Sequence, residues 1–223
     1  MQVLPRAVLW DMDGTLLDSA EYHWLAWRDI LAGERFELAH DQFVATFGQR
    51  NDTILRDWLG ADLPISEIAR IGDAKEARYR ALVLAGGITL LPGVARWLTR
   101  LQADGWHQAV ASAAPRANVA AVVAALGIAA YFDAISSAED VQRGKPDPQV
   151  FLVAAERVGV PPARCIVIED APAGLLGAQR GGMCTIGVRS SHAELQADIV
   201  VDTLVELPED AFERLIAGGE TIL

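Results

Sequence analysis

Short apolar runs recur along the chain, and each stops at a polar residue. Ala7-Val8-Leu9-Trp10 ends at Asp11, Gln108-Ala109-Val110-Ala111 at Ser112, and Cys165-Ile166-Val167-Ile168 at Glu169-Asp170. Thr185-Ile186-Gly187-Val188 ends at Arg189, and Ile199-Val200-Val201 at Asp202. Continuous apolar runs bounded by turn residues predict buried parallel strands. Between them the period lengthens to that of a helix. Residues 94–103 are apolar at 94, 97, 98 and 101, and 118–126 form an Ala/Val-rich stretch. Asp147-Pro148 reads as a cap and first-turn proline opening a helix over 149–158, with Gly159 as its stop. A further helix is expected over 173–180, stopped by Gly181-Gly182. Strands alternating with helices predict an α/β fold, a doubly wound, Rossmann-like parallel sheet.

One region breaks the alternation. Residues 20–84 carry helical periodicity and no strand pattern, with candidate helices at 20–32, 41–47, 50–59 and 65–84. Gly86-Gly87 and Leu91-Pro92-Gly93 then return the chain to the α/β pattern. The reading is a four-helix subdomain, residues 18–88, inserted after the first strand of a core made of 1–17 and 89–223.

Composition narrows the partners. The 223 residues carry 19 Lys+Arg against 30 Asp+Glu, a net charge of −11, which argues against nucleic acid as a ligand. A small phosphate ester remains possible, because a few local donors suffice to hold it. The apolar stretch 117–132 is interrupted by Asn118 and Gly127 and is too short for a membrane span. Met1-Gln2-Val3-Leu4-Pro5-Arg6 shows no signal-peptide pattern, and Cys165 and Cys184 form no CxxC. A cytoplasmic, reducing location and a monomer are the simplest expectations.

The most informative stretch is Asp11-Met12-Asp13-Gly14-Thr15-Leu16-Leu17-Asp18. Two carboxylates stand two apart at the carboxyl end of a predicted strand, where open α/β sheets form their ligand crevice. Gly14 lets the backbone turn closely around a bound group. Glu169-Asp170 ends another strand, so three or more carboxylates converge if the two strands are neighbours. Such a cluster repels itself unless protons or a hard cation neutralise it, and Mg²⁺ suits an all-oxygen donor set. An EF-hand reading fails, because Leu9 and Ala20 occupy positions that need acids. A Walker loop around Lys145 fails, because Glu139 and Pro146 stand where Gly and Ser or Thr are required. No GxGxxG, HExxH or GxSxG occurs, and the sequon Asn51-Asp52-Thr53 has no secretion signal to accompany it.

Asp11-Met-Asp-Gly-Thr-Leu, Val110-Ala-Ser112, Lys145-Pro-Asp-Pro and Ile168-Glu-Asp170-Ala-Pro-Ala-Gly resemble, in order, the four motifs of the haloacid dehalogenase superfamily. The helical insertion resembles the cap of the branch that contains β-phosphoglucomutase and many small-molecule phosphatases. The resemblance implies that Asp11 is the nucleophile, forming an aspartyl-phosphate, and that Asp13 is the general acid and then the general base. It implies that Ser112 and Lys145 hold the transferring phosphoryl group. It also implies Mg²⁺ on the Asp11 carboxylate, the Asp13 backbone carbonyl and Asp170, with Glu169 as second choice. An acid at position 13 fits phosphatases and phosphomutases, whose alkoxide leaving group needs a proton. In the cap, His23 and Trp27 share one helical face and Arg50 offers a cation, so all three are candidates for substrate contact.

Two departures favour a phosphatase over a mutase. Thr15 stands where mutases often carry Val, and Ala114-Pro115-Arg116 replaces their Ser-Lys-Asn after Ser112. Trp10 replaces the usual Phe and leaves the chemistry intact. The expected reaction is Mg²⁺-dependent hydrolysis of a small phosphomonoester such as a sugar phosphate. A β-phosphoglucomutase is the alternative, and a phospho-accepting receiver-type module is an alternative of another class, disfavoured by the chain's length.

Overall fold

A computed structural model describes residues 4–219. Met1–Val3, at the start of the stretch read for a signal peptide, lies outside the described residues. Six strands form one parallel sheet in the order β3-β2-β1-β4-β5-β6. They are β1 (Ala7–Trp10), β2 (His107–Ala111), β3 (Ala134–Ser136), β4 (Cys165–Glu169), β5 (Cys184–Val188) and β6 (Ile199–Val201). Side chains alternate across the sheet. Val8, Trp10, Val110, Ile166 and Ile168 enter one apolar cluster, whereas Ala7, Leu9, Ala109, Cys165 and Val167 enter another on the opposite face. Both faces are covered, which explains why these strands read as unbroken apolar runs.

The insertion holds α1 (Ala20–Gly33), α2 (His40–Thr46), α3 (Asn51–Leu59) and α4 (Ile65–Gly86). Trp27, Leu31, Phe43, Ile54, Leu55, Ile68 and Ile71 give it an apolar centre of its own. The second half of α4 behaves differently, because Tyr79 and Val83 join the main core cluster. The two chain crossings lie side by side, with Leu17 bridging Leu90 and Leu91 N donating to Leu16 O at 2.9 Å.

The remaining helices are α5 (Val94–Ala103), α6 (Arg116–Ala125), α7 (Gln149–Val158), α8 (Pro172–Arg180) and α9 (Ala211–Gly219). Asp147 Oδ1 accepts from Gln149 N at 3.1 Å, and Gly159 closes α7 in a left-handed conformation at φ 69°. Several expected limits shift by one or two residues. Arg50 caps α3 rather than opening it, and α6 starts at Arg116 instead of 118. Two elements escaped the sequence reading, β3 and α9. Trp10 is fully buried, and its indole N–H donates to Gln108 Oε1 at 3.1 Å while Gln108 Nε2 donates to Leu98 O at 3.0 Å. Gln108, inside an apolar run, thus satisfies the polar edge of the tryptophan that stands before Asp11. Among the described residues no helix is long and apolar enough to cross a membrane.

Candidate active site

β1 lies between β2 and β4, the point at which the sheet reverses its winding direction. Asp11 N donates to Ile168 O at 3.0 Å, so the ladder runs one residue past β1 and delivers Asp11 beside Glu169-Asp170. Asp11, Glu169 and Asp170 are buried, and one carboxylate oxygen from each lies within 4.8 Å of the others. Two glycines make this approach possible. A Cβ on Gly14, at φ +81°, would collide with the Asp170 carboxylate, and one on Gly174 would collide with that of Glu169.

Lys145 reaches into the cluster from the loop before α7. Its Nζ donates to Asp11 Oδ1 at 2.5 Å and to Glu169 Oε1 at 2.6 Å. The other oxygen of Glu169 accepts from Ala171 N at 2.7 Å. Burial works against the ammonium, but Asp11 and Glu169 outweigh it and hold its pKa above the ordinary lysine value. Burial dominates at Asp11. Lys145 opposes it and Glu169 reinforces it, so the carboxyl is pushed up to about 7. Asp170 is raised well above the usual carboxylate range by burial, then by the facing Glu169 and Asp11. Three acids against one lysine leave the cluster short of positive charge. A compact set of hard oxygen donors with that deficit fits a divalent cation.

Asp13 belongs to a different environment. Its Oδ1 accepts from Ser19 Oγ at 2.5 Å and from the Tyr79 hydroxyl at 3.3 Å, and it lies 3.3 Å from His23 Nε2. Lys75 Nζ lies 2.9 Å from His23 Nδ1. An ammonium can only donate, so the imidazole accepts at Nδ1 and carries its proton on Nε2, toward Asp13. The Tyr79 ring stacks on His23 with centroids 4.0 Å apart. Burial raises Asp13, but His23, Ser19 and Lys75 outweigh it and hold the carboxyl below its ordinary value. Burial and the Asp13 charge push the Tyr79 hydroxyl far up, which keeps it a donor.

A cavity of about 850 Å³ lies between insertion and sheet. Asp11, Asp13, Ser112, Lys145, Glu169 and Asp170 line its core side, and His23, Trp27 and Arg50 line the other. Ser112 is buried at the end of β2, its hydroxyl accepting from Ala114 N at 3.0 Å. His23 faces Asp13. Trp27 packs edge-on against Trp58 at 5.3 Å, so it serves the insertion's apolar centre as well as the cavity wall. Arg50 donates from Nε to Asp52 Oδ1 at 3.1 Å, while its buried Nη1 has no hydrogen-bond partner among the described residues. Lys75, Glu76 and Tyr79 were missed in the sequence. The signal was present: Ile68, Ile71 and Gly72, then Lys75 and Glu76, then Tyr79 and Val83 follow one buried helical stripe. Charges on a core-facing stripe demand partners.

The comparisons with known proteins agree with this geometry. A family model described as haloacid dehalogenase-like hydrolase matches residues 5–182. The β-phosphoglucomutase of Bacillus subtilis is 33% identical over 221 residues, covering 94% of this chain and 96% of that protein. The fructose-1-phosphate phosphatase YqaB of Escherichia coli is 33% identical over 189 residues, covering 82% and 95%. The crystal structure of β-phosphoglucomutase from Clostridium difficile superposes with a TM-score of 0.86 at 26% identity, covering 96% of this chain and 98% of that one. Likeness in sequence and in fold runs along nearly the whole chain, and the protein belongs to the haloacid dehalogenase-like hydrolases.

Proposed function

We propose that this chain hydrolyses a small phosphomonoester, of the size of a sugar phosphate, through an aspartyl-phosphate on Asp11, with residues 18–88 acting as a cap. The observation that carries the reading is the split between Asp11 and Asp13. They stand two residues apart at one strand end, yet one faces Lys145 and an acid cluster and the other faces His23, Ser19 and Tyr79. Environments that push two carboxyl groups in opposite directions suit two different tasks.

In the first half-reaction an Asp11 oxygen attacks phosphorus as the ester P–O bond breaks, and Asp13 gives a proton to the departing oxygen. In the second, Asp13 takes a proton from water, whose oxygen attacks phosphorus and releases Asp11 as a carboxylate. Asp13 starts as a carboxylate. A phosphate dianion entering the buried cavity raises its pKa and favours the protonated form that the first step needs. Lys145 and the Ser112 region would hold the phosphoryl oxygens. Asp11, Asp170 and the Asp13 carbonyl would hold Mg²⁺, with Glu169 second because both its oxygens are already engaged. A bound Mg²⁺ supplies positive charge that keeps Asp11 ionised and offsets its repulsion from phosphate.

Membership of this family displaces the receiver-type alternative. The mutase reading is favoured by one observation, the 94% coverage by the Bacillus subtilis β-phosphoglucomutase. A phosphate-release screen over sugar phosphates, phosphoglycolate and nucleotides with Mg²⁺ tests the hydrolase reading. β-Glucose 1-phosphate with a trace of the 1,6-bisphosphate is expected to yield mainly inorganic phosphate. Efficient formation of glucose 6-phosphate would overturn that assignment in favour of the mutase.

A further inference from the structure

Asp13 is connected to a second point on the core by a buried polar chain that crosses the insertion. From Asp13 it passes to His23 on α1, then to Lys75 on α4. Lys75 Nζ donates to Glu76 Oε1 at 2.8 Å, and Glu76 Oε2 accepts a short hydrogen bond from Asn118 Nδ2 on α6. Asn118 is therefore the return contact on the core. His23, Lys75, Glu76 and Asn118 are all buried, the last at 0% exposure. Asn51 on α3 donates to Glu76 Oε1 at 2.7 Å, and Arg80 donates to Asn118 Oδ1 at 2.8 Å. The arginine fixes the amide orientation, so the NH₂ group of Asn118 faces Glu76.

We infer that Glu76 is a positioning residue that makes proton transfer by Asp13 depend on contact between cap and core. The inference rests on the phosphoester reading above. A buried ammonium is tolerated when it is paired, and the carboxylate paired with Lys75 is Glu76. Burial raises the Glu76 carboxyl, but the adjacent Lys75, with Asn51 assisting, outweighs it and holds the carboxyl below its ordinary value. With Lys75 held in place, His23 accepts at Nδ1 and presents Nε2–H to Asp13. If Glu76 loses its charge, the ammonium loses its counter-ion and the constraint on the His23 tautomer weakens. If Asn118 withdraws, one Glu76 oxygen is left to water and the same constraint loosens. Separation of cap from core at α4 and α6 would thus disarm Asp13 without moving the Asp11 cluster.

The test compares two esters of similar size and different leaving-group basicity, benzyl phosphate and 4-nitrophenyl phosphate, with the full chain and Mg²⁺. A benzyl alkoxide needs the proton from Asp13, whereas nitrophenoxide leaves without it. Glu76→Gln is expected to lower kcat/KM for benzyl phosphate by about 10–100-fold, at or below the lower end of what general acids contribute, and for 4-nitrophenyl phosphate by less than about threefold. Asn118→Ala is expected to show the same bias with a smaller loss, and it carries the test if Glu76→Gln does not fold. Equal losses on both esters would mark a structural role and overturn the inference, as would no loss on either. A wild-type protein that cleaves neither ester would instead overturn the phosphoester reading, and this inference with it.

Discussion

Asp11 and Asp13 are the same residue type, two positions apart, and their surroundings treat them in opposite ways. The sheet side concentrates negative charge. Burial and neighbouring carboxylates push Asp11 up to about 7 and Asp170 well above the usual range, although Lys145 is in contact. The insertion side concentrates donors. His23, Ser19 and Tyr79 all face one oxygen of Asp13, and His23, Ser19 and Lys75 outweigh its burial. Burial raises both carboxyl groups. It prevails at Asp11, where Lys145 and Glu169 pull in opposite directions, and is outweighed at Asp13, where the packed groups bring donors. The sheet side builds an anionic cluster that could hold a cation, and the helical insertion supplies hydrogen bonds to one acid.

The largest effects should come from the sheet side. Asp11→Asn removes the nucleophile and is expected to lower kcat by about 10⁴-fold or more in a phosphate-release assay. Near wild-type turnover would break the proposed division of roles. Chelation by EDTA should abolish activity, and added Mg²⁺ should restore it, whereas undiminished turnover would show that the acid cluster needs no cation. Asp13→Asn is expected to cost about 10²–10⁴-fold on alkyl phosphates, the span of general acid catalysis. A smaller loss on 4-nitrophenyl phosphate in kcat/KM would sharpen the contrast, and equal losses would break it.

The smallest expected effect lies outside the cavity, at Asp140. It accepts from Arg157 Nη2 and Arg116 Nη2, each at 2.6 Å, and from Ser137 Oγ at 2.9 Å. Arg157 is the main cause that holds its carboxyl below the usual range, with burial opposing and Ser137 assisting. A depressed folded-state pKa stabilises the fold above the unfolded carboxylate value, and that contribution is lost as pH falls through the depressed one. Asp140→Asn should lower Tm by about 2–4 °C at neutral pH, the shift that about 1 kcal/mol produces at this size. The difference should shrink in acid. A gap that widens in acid would contradict the sign.

The two sides also differ in how openly the sequence displays them. Asp11, Ser112, Glu169 and Asp170 each end an apolar run, and a strand end is a local signal that survives without coordinates. Lys145 had a weaker marker in its prolines and the following helix start. Glu169 read as a spare metal ligand, and only the fold shows it occupied by Lys145 and Ala171 N. On the insertion side, Lys75 and Glu76 sit in a helix with many charges, among Asp73, Arg78 and Arg80, so composition reads them as solvated. Their burial comes from α4 packing against α1 and α6, a tertiary relation that periodicity hints at only through the stripe they share with Ile71 and Tyr79. β3 was invisible for a simpler reason. Three residues, two of them half-buried, are too few to establish a period. α9 carries Phe212 and Ile216 on one buried face, a pattern beyond the last run that was read.

In the proposed reaction, phosphoryl transfer passes through Asp11. Mixing the enzyme and Mg²⁺ with a substrate from the screen, quenching in acid within a single turnover and mapping peptides by mass tests it directly. The expected outcome is a phosphoryl group on the peptide containing Asp11, lost on treatment with hydroxylamine and absent from Asp11→Asn. Turnover without any phosphoenzyme, or a phosphoryl group on another residue, would contradict it.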